Sequence, residues 1–447
     1  MRAKLLSRHS WYAGIWLTVL GLYVLRLSAY NIQIGPGLTA FFALTISVSL
    51  LFATLEKRYT ETSESREFLL ASSVEMAATR RKLLILISLG FLADWAYIGG
   101  VPFISGSSYR GFDPSAATQA GVGIPYLHVA TTALAVFFCI YLGYIFSASR
   151  SFPVLLEFAA CLMLLLLSQA RGFAILSLFT LAIFMSWNSK RSHRRGGLTV
   201  RRALGLVVGL ICVALFMGIL GNLRLGEPWD NYEKFKAIAG FSGPSMGLVD
   251  SFSWTYTYLT SPLSNLALQT QTVPDANSIQ SIVYGFMPAT FSKHLDTASF
   301  NGVYVVDYLN ASTGFADFYS LGGWAGLYAS FVLMLAYFAL WEFAVRRVGH
   351  LVEMMRGIFV LFVVANVFYD PFSNVALAYA PPLALLAAVV HKRISAARTS
   401  LAKGDGDQVS RRAGRSPIAS RESLPSLRTS GPAASTRPLG RGPSASA

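Results

Sequence analysis

The sequence predicts an all-α polytopic membrane protein, with about ten transmembrane helices and one large extracytoplasmic loop of short helices. Three observations predict it. Hydrophobic residues make up 54% of the 447 positions and charged ones only 13%, at a mean hydropathy of +0.50, which leaves too few solvated side chains to cover a soluble globule. Apolar runs close to the length needed to cross a bilayer recur from one end of the chain to the other. The basic residues fall between those runs, as charge-directed topology requires, so the net charge of +15 does not point to nucleic acid.

The spans fall at 11–30, 35–55, 83–100, 124–146, 154–170, 172–187, 203–221, 318–341, 357–370 and 375–390. The first follows Met1-Arg2-Ala3-Lys4 without a small-x-small cleavage site and reads as a retained signal anchor. With the N-terminus in the cytoplasm, the segments on the far side carry only Arg110, Arg171, Arg224, Lys234, Lys236 and Lys293, and Arg26 falls inside the first span. The remaining basic residues are cytoplasmic, so both termini are placed in the cytoplasm of a bacterial inner membrane. The domains expected are 1–221 (seven spans), 222–317 (large loop), 318–390 (three spans) and 391–447 (basic tail). The loop is rich in Trp, Tyr and Phe and punctuated by Pro228, Pro244, Pro262, Pro274 and Pro288, which predicts short helices broken at turns along the outer leaflet. The tail of Arg, Ser, Gly, Pro and Ala is expected to be disordered. Cys139, Cys161 and Cys212 lie within spans, without disulfide or zinc-ligand spacing, and read as small core residues.

Arg171, in Leu-Leu-Ser-Gln-Ala-Arg171-Gly172, falls where the fifth span meets the sixth with no polar linker, at the outer interface. A guanidinium there is costly unless it snorkels or meets an anion, and phosphate is the natural anion. Arg224 follows the seventh span at the same depth, so two planar forks could clamp a diphosphate, with Lys293 a further cation in the loop. His294 is the only histidine of the loop and has the pKa range suited to accepting a hydroxyl proton; Asp317 is a second candidate base. His128 opens the fourth span and reads as a packing or helix-end hydrogen-bonding residue. Asp94, Glu157 and Asp370 lie near span ends, where water or a neighbouring helix can satisfy a carboxylate. The strings Gly243-Pro-Ser245-Met-Gly247 and Asp405-Gly-Asp407 match a nucleophile elbow and an acidic metal pair but lack the sheet and the ordered site that those motifs need.

Four pieces in order, Gly123-Ile-Pro125-Tyr-Leu-His128, the Ser168-Gln-Ala-Arg171-Gly172 hairpin, Arg224, and Thr313-Gly314-Phe-Ala-Asp317 running on to Gly322-Gly323-Trp-Ala-Gly326, resemble the bacterial O-antigen polymerase family, also called Wzy-type oligosaccharide repeat unit polymerases. The resemblance covers the chain to about residue 390. It departs at Ala170, where the family often has Ser, and in the basic tail. It implies a metal-independent membrane glycosyltransferase with no cofactor. Such an enzyme would move a growing glycan from undecaprenyl diphosphate to a sugar hydroxyl of an incoming undecaprenyl-diphosphate-linked unit on the periplasmic face. Its expected partners are that lipid-linked oligosaccharide, a chain-length regulator, a flippase and membrane lipids, and no nucleic acid. That chemistry fits the residues read independently, with Arg171, Arg224 and Lys293 on diphosphate and His294 and Asp317 in proton transfer. The alternatives are an O-antigen ligase, or a flippase or transporter for the same lipids, which should show paired repeats, broken helices and midplane charges.

Overall fold

The computed structural model describes residues 8–55, 76–105, 123–124, 126–168, 170–192, 211, 214–219, 221–222, 225–242, 246–272, 283, 285–287, 303–306, 309, 311–349, 351–393 and 396. Residues Met1–Ser395 form one unit; of the second, Ala396–Ala447, only Ala396 is described, so the expectation for the tail lies outside the described residues.

Every regular element among the described residues is helical. In chain order the main ones are α1 (Arg8–Val24), α2 (Pro36–Leu55), α3 (Ala77–Ile98), α4 (Leu127–Ser149), α5 (Phe152–Leu167), α6 (Arg171–Ser192), α7 (Glu233–Ile238), α8 (Ser251–Thr272), α9 (Gly314–Val348), α10 (Val352–Ala365) and α11 (Val375–Arg393). By length and composition α2, α4, α9 and α11 can each cross a membrane, and Phe152–Leu167 and Gly172–Trp187 are apolar but shorter. Leu44, Leu51, Leu86, Leu89, Val332, Leu340 and Leu386 stay exposed on their helices, the pattern of side chains that face lipid rather than water. Most of the seventh expected span lies outside the described residues.

α4 is the centre of the bundle. Along it Val136, Phe138, Cys139, Leu142 and Ile145 are all buried, because α3, α5, α6 and α11 pack round it. Cys161 of α5 points its thiol at the Ala135 carbonyl, 3.4 Å away, so both described cysteines are free and buried, as expected of core residues. α10 bridges α1, α6 and α9, with Gly357 so close to the Phe184 ring that a Cβ would collide with it.

The two ends of the bundle differ in chemistry. At one end Arg80 and Glu157 form a buried ion pair of 2.7 Å, with Arg81 3.9 Å from the same carboxylate. Close by, the Tyr141 hydroxyl pairs with His391 Nε2 at 2.8 Å. Glu342 holds Arg346 and Arg356 where α9 hands over to α10. At the opposite end lie Asp94, His128, Ser168, Gly314 and Asp370.

A helical layer closes that second end. Trp254 of α8 stacks on Phe235 of α7 at 3.8 Å between ring centres, and Tyr232 and Ala239 complete the buried cluster. The layer is tied to the bundle through Tyr256, whose hydroxyl accepts from Leu27 N at 3.0 Å and from Asn31, and through Gln269, which donates to the Ala316 carbonyl at 3.0 Å. Two expectations change here. Pro262 does not break the loop into short helices; it sits inside the 22 residues of α8. The backbone bond that the ring removes is offset by contacts along the whole helix, among them Asn265 to the Leu309 and Ala311 carbonyls, both at 2.6 Å. Arg26 also lies outside the first span, because α1 ends at Val24 and the chain turns through Arg26 in a left-handed conformation (φ 48°).

Candidate functional site

α3 carries Asp94 to one turn from its C-terminus, fully buried. The following chain returns over it: Asp94 Oδ1 accepts from Ile124 N at 2.8 Å, and Asp94 Oδ2 lies 2.7 Å from His128 Nδ1 in the first turn of α4. Gly123 permits this approach, since a Cβ there would overlap the Asp94 carboxylate. The loop also holds Tyr126 at φ 64°, a left-handed conformation unusual for an aromatic residue, and His128 N closes a turn onto the Ile124 carbonyl at 3.1 Å.

The consequence for His128 is chemical. A carboxylate on Nδ1 assigns the proton to that nitrogen in the neutral ring, which leaves Nε2 as the atom that can accept a hydrogen bond or a proton. The imidazole is 23% exposed, so the pair has access to the surface.

Next to Asp94, Trp95 Nε1 donates to Ser168 Oγ at 3.3 Å. Ser168 caps α5, and two residues on Ala170 N bonds back to the Leu165 carbonyl at 2.9 Å, so the chain reverses with no room for a polar linker and α6 begins at Arg171. The backbone of Arg171 thus stands at the same end as the Asp94–His128 pair, joined to it through Trp95. The Arg171 side chain, and all of Arg224, Lys293 and His294, lie outside the described residues.

Asp317 is described. It stands in the first turn of α9, half-buried, in a second acidic place. Gly314 N donates to the Asn366 carbonyl at 2.8 Å, which seats this turn against the loop that carries Asp370. The Asp370 carboxylate accepts from Phe372 N at 2.9 Å and Ser373 N at 3.1 Å, and Asp317 is its charged neighbour. Tyr304 of the large loop is close enough that burial and then Asp317 push its phenol above the ordinary value. Beyond Asp317, α9 is interrupted at Gly322 and Gly323, where φ is −144° and 57°.

Sequence alone presents His128 and Asp94 as separate residues that packing or a neighbouring helix would satisfy; in the structure they bond to each other. The signal for the pair was the Gly123-to-His128 string, whose glycine marks a close approach. No three His, Cys, Asp or Glu side chains among the described residues group as a metal site. No known protein family, curated protein or solved structure matches this chain. Its class rests on the fold: an all-α membrane protein, with four helices among the described residues long and apolar enough to cross a bilayer.

Proposed function

We propose that the chain is a polymerase of undecaprenyl-diphosphate-linked oligosaccharide repeat units, with ten spans, both termini in the cytoplasm of a bacterial inner membrane and the Asp94 end on the periplasmic face. The observation that carries this reading is the His128 imidazole, oriented by buried Asp94 at the end where α6 starts with Arg171. His128 Nε2 takes the proton of the acceptor sugar hydroxyl. The hydroxyl oxygen bonds to the anomeric carbon of the growing glycan as the bond from that carbon to the diphosphate oxygen breaks. Arg171, with Arg224 and Lys293 as further cations, neutralises the departing lipid diphosphate. His294 and Asp317, the bases read from the sequence, are the alternatives to His128 in that role.

The break in α9 one to two turns past Asp317 favours a second reading, a transporter for the same lipids, because interrupted helices beside carboxylates are how transporters build substrate sites. Deletion of the gene separates the two. A single repeat unit left on the surface anchor supports the polymerase; long chains left unattached mean a ligase; and loss of all surface glycan means a transporter.

A further inference from the structure

Between α1 and α2 the structure holds a crevice of about 690 Å³, open to the side of the bundle. Leu20, Val24, Phe42 and Ile46 line it, together with Tyr23 and Arg26. Neighbouring Leu17 and Leu44 are about half exposed, so this wall faces hydrocarbon.

Arg26 is the unusual member. It is exposed, it makes no ion pair among the described residues, and it holds the left-handed backbone at the exit of α1, a conformation that costs an L-residue and persists only where its surroundings impose it. No Asp, Glu or His is among the described residues that line the crevice, and the titratable neighbour of Arg26 there is the Tyr23 phenol. A mostly apolar crevice lined by one exposed guanidinium is complementary to a lipid with a hydrocarbon chain and a phosphate head.

The occupant follows from the reaction proposed above, on which this inference rests. Two lipid-linked molecules must be held at once. One loses its diphosphate and needs the base and the cations at the Asp94 end. The other keeps its diphosphate throughout and needs only to be held. The crevice offers one cation and mostly apolar walls, with no carboxylate or imidazole among the described lining residues, which suits holding and not cleavage. We propose that the α1–α2 crevice seats the polyprenyl chain of the acceptor lipid, with Arg26 bound to its diphosphate.

The test uses the full-length protein in nanodiscs and a photoreactive polyprenyl diphosphate without sugar, with crosslinks mapped to peptides of residues 17–47. Arg26→Ala should lower crosslinking there by about ten- to a hundredfold, the affinity equivalent of one charge-assisted hydrogen bond, and Arg26→Lys by less. Ala43→Trp, which fills the slot from an exposed lining position, should abolish it. A neutral polyprenol of equal length should label the wild type about as poorly as the diphosphate labels Arg26→Ala. Labelling that ignores both substitutions overturns the proposal, as does equal competition by phosphatidylglycerol. Arg26-dependent labelling alongside normal polymer in a His128→Gln strain would leave the seat standing and remove the proposed base; the opposite pair of results would keep the base and remove the seat.

Discussion

His128 Nδ1 stands 2.7 Å from Asp94 Oδ2 across the junction of α3 and α4, with the carboxylate fully buried and the imidazole partly open. The two are therefore a hydrogen-bonded pair rather than two separate helix-end residues. If Nε2 takes the acceptor proton, His128→Gln should cut polymer by about the 10²- to 10⁴-fold typical of losing a general base, at unchanged protein level. Asp94→Asn should fall in the same range, and the double variant should be hardly worse, because the two act as a unit. Glycan ladders from a complemented deletion strain, normalised by immunoblot, measure all three; near-normal ladders in His128→Gln would remove the pair from catalysis.

The glycines of this end are unequal. A Cβ at Gly123 overlaps the Asp94 carboxylate, and one at Gly314 overlaps Asn366, whereas one at Gly172 meets nothing within 4 Å. Gly123→Ala should therefore lose polymer with little loss of protein, Gly314→Ala should lower the melting temperature, and Gly172→Ala should be tolerated in both assays. Equal behaviour of the three would contradict the packing described.

At the other end the Arg80–Glu157 pair is buried at 2.7 Å. Removing one partner strands the other charge, so Glu157→Ala should destabilise by about 3–5 kcal/mol, while joint replacement by Arg80→Met and Glu157→Leu should recover most of it. Thermal unfolding in detergent reads the difference, and a harmless Glu157→Ala would mean that Arg80 and Arg81 find water there.

Topology can be checked from two exposed positions at opposite ends. Met246 is 66% exposed in the layer that closes the Asp94 end, and the Arg81 side chain is 68% exposed at the other. A membrane-impermeant thiol reagent should label Met246→Cys in intact spheroplasts and Arg81→Cys only after permeabilisation. The reverse pattern would put the proposed chemistry in the cytoplasm and end the polymerase reading.

What the sequence determined by itself was local. A run of apolar residues has to be helical in lipid because only a helix satisfies its own backbone bonds, so α2, α4, α9 and α11 are legible from hydropathy, as is the reversal between α5 and α6 at Ser168–Arg171. What only the tertiary structure decided depends on which helices pack together. Hydropathy places Asp94 and His128 at span ends, but their contact exists because α3 and α4 run side by side and Gly123 lets the chain fold back over the carboxylate. Asp317 and Asp370 become neighbours only because Gly314 docks on the Asn366 carbonyl. Pro262 reads as a breaker in isolation and is held helical by polar contacts from residues more than 40 positions away. Periodicity and hydropathy report the solvent each residue prefers, whereas a site requires side chains from distant segments at hydrogen-bond distance, and packing alone fixes that.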